Sequence, residues 1–414
     1  MKPHFSQTKI NVKLPFSFIL FGLIAFIFSQ WIFFQNASQL AEGYFRTPEL
    51  WMAFHLLILG WAVMIAMGAM YQMVPVTFLT PIWSEKFGFI QFGVTATGIL
   101  SLSFLLGFHP AEAVYGGAIT IIGICMFILQ MFMTIKKQKE KNMMTWLVFS
   151  ALLFFLLTLL AGFVLAWNIA NGQILNHQSI FHSHLVFGIT GWFTLLIFGF
   201  SYKLVPMFSL SHGFSMKWSM KAFLLYILGL LALIFTFWIK MSILQPIGWA
   251  VLFLAFTLFL LDMREILAKR SKKRLDRPFL FAIIALHLGW FIHFLVVVVS
   301  IWATSNVALW SLLIYLYLMM WIIFSILGYL YKIVPVLWWT LKYADKVGKE
   351  KIPLIKDLIN EKASFILYIG FFIGTLGVAF STLYQSLLLI QLFQGLLVLT
   401  SFVYSVFIAK VMTK

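Results

Sequence analysis

The sequence predicts an all-α polytopic membrane protein: twelve transmembrane helices, built as three four-helix repeats in a pseudo-threefold arrangement, with N and C termini cytoplasmic. Three observations carry that expectation. The 414-residue chain is 63% hydrophobic and only 10% charged, more apolar side chain than a water-soluble fold can enclose. Its apolar residues fall into twelve runs, each close to or above the ~20 residues that cross a hydrocarbon core. One phrase, Gly-x-x-Tyr-x-x-Val-Pro, occurs three times, at Gly68–Pro75, Gly199–Pro206 and Gly328–Pro335, with prolines 131 and 129 residues apart. A near-constant period of this kind marks internal triplication.

Taken in order, the run at 14–34 opens the chain. It is too long for a secretory leader and no small-residue cleavage site follows it, so it reads as an uncleaved first span. The run at 50–79 ends on the first copy of the phrase, and 87–108 and 113–135 complete the first unit. The second unit holds 144–168, 181–208, 218–239 and 243–262, and the third holds 279–302, 309–338, 363–384 and 387–410. Without water to pair backbone amides, each run must satisfy its own, which a helix does. None shows the strict alternation of a barrel strand. The units cover 1–140, 141–275 and 276–414 of a single transmembrane domain. The phrase closes the second span of each unit, with Trp61, Trp192 and Trp321 fourteen residues before the proline. Proline is expected to stop or kink the helix there.

Charge orients the chain. With the N-terminus inside, 27 of the 29 Lys and Arg lie on the inner side, and only Arg46 and Lys240 lie outside. That asymmetry is the positive-inside pattern. The net charge of +17 therefore answers to anionic lipid headgroups, and no nucleic-acid partner is expected. The basic segment 264–277 and the segment 340–362, rich in Lys, Asp and Glu, read as solvated inner linkers, the second with a short amphipathic helix. The one cysteine, Cys125, excludes an intrachain disulfide, a thiolate cluster and covalent haem attachment.

Chemistry inside the membrane falls to histidine. The twelve Asp and Glu lie in loops or at span ends, Asp262 and Glu265 among them, which argues against a carboxylate-based proton pump. His55 enters the second span from outside, His182 and His184 open the sixth, and His287 and His293 lie in the ninth. His109 and His177 fall at outer loops, and His4 and His212 on inner segments. Imidazole at such depth either bonds a neighbouring helix or ligates a metal or haem iron. The i, i+2 spacing of His182 and His184 turns their rings about 200° apart on a helix, so both cannot serve one ion. His55, His182 and His184 are the metal-ligand candidates.

Twelve spans in three arcs, an inside N-terminus and His55 near the outer end of span 2 resemble the haem–copper oxidase catalytic-subunit superfamily. The stretch Phe181-His-Ser-His184-Leu-Val-Phe-Gly188-Ile-Thr-Gly191-Trp192, continuing to Tyr202-Lys-Leu-Val-Pro206, resembles its oxidase-like and nitric-oxide-response members. The resemblance implies a low-spin b-type haem with His55 as one axial ligand. It also implies a histidine pair in span 10, where this chain has Tyr315-Leu-Tyr317-Leu-Met319-Met320, and a histidine pair in span 7, where it has none. His184 matches the remaining copper ligand. The implied protein is a divergent member without terminal oxidase activity and without copper. It would hold haem b through His55 and one of His184, His293, Tyr315 or Met319. Its role would be electron transfer, sensing or respiratory assembly beside a redox membrane partner, in the bacterial plasma membrane. The competing expectation is a twelve-helix transporter or metal-handling permease that captures ions on its outer histidines.

Overall fold

The computed structural model describes residues 11–172 and 174–414; His4, Lys2 and Lys9 lie outside the described residues. Among the described residues twelve helices are long and apolar enough to cross a membrane. They are span 1 (Lys13–Gln35), span 2 (Pro48–Phe78), span 3 (Glu85–Phe108), span 4 (Pro110–Ile135), span 5 (Met143–Asn171) and span 6 (His177–Ser209). They continue as span 7 (Ser219–Trp238), span 8 (Ser242–Ala268), span 9 (Arg277–Trp302), span 10 (Val307–Lys346), span 11 (Glu361–Leu383) and span 12 (Leu387–Val411). The expected runs and the helices differ chiefly at ends where charged residues continue the helix. Span 8 runs to Ala268 rather than stopping at 262, carrying Arg264 and Glu265 on its last turns; long polar side chains can snorkel to the headgroups from there. No amphipathic helix forms in 340–362. The last α-helical stretch of span 10, Phe324–Tyr343, is followed by 3₁₀ turns at Ala344–Lys346 and Ile355–Leu358. Between the turns, Gly348 takes a left-handed φ of 77°, which no helix interior accepts.

The triplication extends to backbone conformation. Spans 2, 6 and 10 each contain a π-helical segment, at Leu56–Val63, Val186–Phe193 and Tyr317–Ile323. Such geometry is rare and re-aims the side chains beyond it. Each segment carries the repeated tryptophan, and all three are sealed in the core: Trp61 and Trp321 are 0% exposed and Trp192 is 1% exposed.

The repeated prolines do not end their helices. Spans 2 and 6 continue three residues past Pro75 and Pro206, then stop at Leu79 and Leu210, which take left-handed φ values of 51° and 54°. The backbone N–H groups of Thr80 and Ser211 donate to the Pro75 and Pro206 carbonyls at 3.2 and 3.0 Å. This is the Schellman ending, which normally has glycine at the left-handed position. In the third copy the helix runs beyond Pro335. Leu79 is 89% exposed, so a Leu79→Gly protein loses little buried surface while shedding left-handed strain. It is expected to be more stable by about 1 kcal/mol, read as a raised unfolding midpoint in detergent.

The chain packs as two compact units, one of Met1–Gln138, Asp276–Ala282 and Ile326–Lys414, the other of Lys139–Leu275 and Ile283–Ser325. In the first unit, Trp61 stacks on Phe26 of span 1 with ring centroids 4.4 Å apart and planes 10° apart. Gln394 of span 12 donates to Gln30 of span 1, to Oε1 at 2.9 Å and to the carbonyl at 3.1 Å. In the second unit, Trp192 stacks on Phe155 of span 5 at 4.3 Å and 13°.

Candidate functional site

His55 is half-buried at the last α-helical position of span 2 before the first π segment. Its Nδ1 lies 2.8 Å from the Trp51 carbonyl. A carbonyl only accepts, so Nδ1 carries the ring proton and Nε2 keeps a bare lone pair, the form that ligates a metal.

In the second unit, His182 and His184 turn to different neighbours. The His182 ring lies 5.2 Å from Phe237 at the end of span 7. His184 turns to span 5, its Nδ1 2.9 Å from the Thr158 carbonyl. A methyl on Gly162 would fall 2.8 Å from its Cε1. Tyr315 is half-buried near the end of the α-helical stretch Val307–Leu316 of span 10, and Met319 is buried in the third π segment. His287 faces outward from the middle of span 9, its Nδ1 2.9 Å from the Ile283 carbonyl.

His293 is the centre of a buried polar cluster. Its Nδ1 lies 2.7 Å from the Gly289 carbonyl, so Nε2 is again the acceptor. Two phenols face that nitrogen: Tyr317 of span 10 at 3.2 Å and Tyr226 of span 7 at 3.4 Å, with 3.4 Å between their hydroxyls. Tyr317 also meets the Thr194 hydroxyl of span 6 at 2.9 Å, and the Trp321 indole N–H donates to Thr194 at 3.0 Å. Tyr226 donates to the Thr190 carbonyl at 3.2 Å. None of His293, Tyr226, Tyr317, Thr194 and Trp321 exceeds 4% exposure, so these groups, shielded from bulk solvent, depend on one another for hydrogen bonds.

A single small residue makes room for this cluster. Twelve or thirteen residues into span 1 and span 5 stand Phe26 and Phe155, the stacking partners of Trp61 and Trp192; twelve residues into span 9 stands Gly289. Trp321 lies over that glycine and its indole N–H reaches Thr194. By contrast the Trp61 and Trp192 N–H groups are buried with no hydrogen-bond partner. A methyl on Gly289 would fall 2.6 Å from Trp321 Cδ2 and Cε3 and 2.9 Å from Phe256 Cζ. Gly289→Ala is therefore expected to push Trp321 off Thr194 and cost about 2 kcal/mol, seen as a lowered unfolding midpoint together with a shift in tryptophan fluorescence.

Sequence reasoning singled out His293 but not Tyr226, Tyr317, Thr194 or Trp321 as its partners. It also placed Asp262 at a span end. Asp262 is 0% exposed and lies six residues inside span 8, accepting from the Tyr202 hydroxyl at 2.9 Å and the Trp218 backbone N–H at 3.2 Å. Tyr202 is the tyrosine of the repeated phrase. In the first copy Tyr71 donates to Gln91 at 2.9 Å, and in the third the Tyr331 hydroxyl is buried with no hydrogen-bond partner.

Among the described residues no three His, Cys, Asp or Glu side chains gather as a metal site. A cleft of about 290 Å³ lies among Leu160, Val164, Ile180, Ser183, Phe187 and Trp238, at the lower end of the ~300–1,000 Å³ typical of ligand sites.

The fold is similar to that of a solved structure described as a heme-copper terminal oxidase dimer. The TM-score is 0.65 at 12% sequence identity, over 97% of this chain and 84% of that one. The chain thus has a haem–copper oxidase-like fold. No family model and no curated protein sequence matches it.

Proposed function

We propose that this chain is a divergent oxidase-like membrane protein that holds one b-type haem through His55 and serves electron transfer, sensing or respiratory assembly rather than O2 reduction. The observation that carries the reading is the His55 ring: Nδ1 fixed on the Trp51 carbonyl and Nε2 left as an acceptor, on a half-buried side chain. That donor is of the kind that would hold haem iron. The copper centre does not fit, because span 7 carries no histidine. Bound haem would supply one-electron exchange. His55 would hold the iron, and the Trp51 carbonyl would fix the imidazole tautomer and its orientation.

The same reading takes the chain as three repeats, 1–140, 141–275 and 276–414, in a pseudo-threefold arrangement with both termini cytoplasmic. The recurring π segments and the lysine and arginine distribution support it. The protein would work in the bacterial plasma membrane beside a respiratory or redox partner. The neighbour being an oxidase dimer makes a respiratory assembly the natural setting.

The test is the visible spectrum of tag-free protein in detergent. A Soret band with dithionite-sensitive α and β bands is expected. His55→Ala should lower haem content by more than the ~10–100-fold that loss of an outer-shell partner alone costs at a metal site. A colourless wild type, or full haem retention in His55→Ala, would sink the proposal.

A further inference from the structure

His293 Nε2, Tyr317 Oη and Tyr226 Oη stand at the corners of a nearly equilateral triangle, with edges of 3.2, 3.4 and 3.4 Å. The point equidistant from the three lies about 1.9 Å from each, and bonds from a metal ion to imidazole nitrogen or to oxygen measure ~2.0–2.1 Å. An ion slightly out of that plane would meet all three donors with little movement of spans 7, 9 and 10. From this geometry we infer that the cluster is a binding site for a divalent first-row transition ion, ligated by His293, Tyr226 and Tyr317.

The surroundings match what such a site requires. The other nitrogen of His293 is held by the Gly289 carbonyl at 2.7 Å, the outer-shell contact that metal-bound histidines almost always make. A relay of donors ends on the Tyr317 oxygen: the Trp321 indole N–H donates to Thr194, and the Thr194 hydroxyl lies 2.9 Å from Tyr317. Tyr226 exchanges its bond to the Thr190 carbonyl for the ion. The ion displaces the two phenol protons, which pass to water before the helices close, so two negative charges meet a doubly charged cation and the buried site is neutral overall, which avoids the cost of an unpaired charge. Among divalent ions Cu²⁺ binds such nitrogen–oxygen donors most strongly. The site is separate from the histidines of span 6: His182 lies against Phe237 and His184 against span 5. Sealing by the surrounding spans means that the ion enters as the helices close and exchanges slowly afterwards.

The test uses full-length, tag-free protein from cells grown with added Cu²⁺, dialysed against EDTA. It is run on wild type and on His55→Ala, so that haem plays no part in the result. About one copper per chain is expected in both, with nitrogen coupling from a single imidazole in the EPR spectrum and a phenolate-to-copper charge-transfer band. Tyr317→Phe and His293→Gln should each lower copper content at least about tenfold, and Thr194→Val should weaken retention by a similar ~10-fold through the outer shell. His287→Gln, outside the cluster, should leave it unchanged. Less than about a tenth of an ion per chain, equal retention in Tyr317→Phe, or coupling to several imidazoles would overturn the assignment. Should the variants fail to fold, the wild-type copper content and spectrum decide alone.

Discussion

A Gly116→Leu protein is expected to lose at least about 3 kcal/mol of stability, because the seam between spans 3 and 4 has no room for any side chain there. A single methyl on Gly116 would fall 2.4 Å from the Leu102 backbone nitrogen, 2.6 Å from its Cα and 2.7 Å from the Ser101 carbonyl carbon. These are backbone atoms, which cannot swing aside as a side chain would. The same holds at Gly98, 2.5 Å from the Thr120 nitrogen, and at Gly123, 2.5 Å from Thr95 Oγ1 and 2.7 Å from its Cα. The two helices must therefore part along their length. In lipid no hydrophobic gain holds them together, and close van der Waals contact is the main adhesive. A gap of 0.5–1 Å already forfeits roughly a quarter to a half of each contact's well. Gly116→Ala should cost about 2 kcal/mol and Gly116→Leu more, in that order. Gly93, on the same span 3, has nothing within 4 Å of an added methyl. Gly93→Ala should be stabilising by up to about 1 kcal/mol through helix propensity alone. Thermal unfolding in detergent reads all three, and a Gly116→Leu midpoint no lower than wild type would contradict this account of the seam.

The spans were legible because water-free hydrocarbon allows only self-paired helices, so apolar length alone locates them. Their ends were less so. A charged residue ends an apolar run in the sequence, but a helix continues through it into the headgroups, as span 8 does past Asp262 to Ala268. The π segments left no trace beyond the repeated tryptophan, which by itself does not mark helix type. Gly60, Gly188 and Gly191 lie in the first two, yet the third, Tyr317–Ile323, contains no glycine. His293 stood out because imidazole is rare in an apolar run. Tyr226 and Tyr317 did not, because tyrosine in a membrane helix also reads as an interface anchor or as core. Gly289 acquires meaning only beside the stacked Phe26–Trp61 and Phe155–Trp192 pairs, whose place it leaves open. The triplicated phrase was itself informative in an indirect way. Its three tyrosines meet an amide, a carboxyl group and no partner in turn. Symmetry therefore fixes the position of the hydroxyl, while chemistry differs from copy to copy.

The middle copy of that phrase carries the second large effect. Asp262 is fully buried, and both of its oxygens accept hydrogen bonds: Oδ2 from the Tyr202 hydroxyl at 2.9 Å and Oδ1 from the Trp218 N–H at 3.2 Å. Trp218 immediately precedes span 7, so this carboxyl group ties the start of span 7 to spans 6 and 8. Asp262→Leu removes the acceptor for both donors and leaves a phenol and an amide N–H unpaired in a dry environment. A cost of about 2–4 kcal/mol is expected, since each stranded group forfeits roughly 1–3 kcal/mol. Tyr202→Phe strands only one oxygen of Asp262 and should cost about 1–2 kcal/mol. Asp262→Asn keeps a carbonyl for Trp218 and offers an amide N–H to the lone pair of Tyr202, so it should cost less than Asp262→Leu. Because one interaction is shared, the Asp262→Leu and Tyr202→Phe losses should fall short of adding, with a coupling of about 1 kcal/mol or more in the double-mutant cycle. Strict additivity would mean that the two groups contribute independently, and that the tie between spans 6 and 8 runs through the surrounding packing instead.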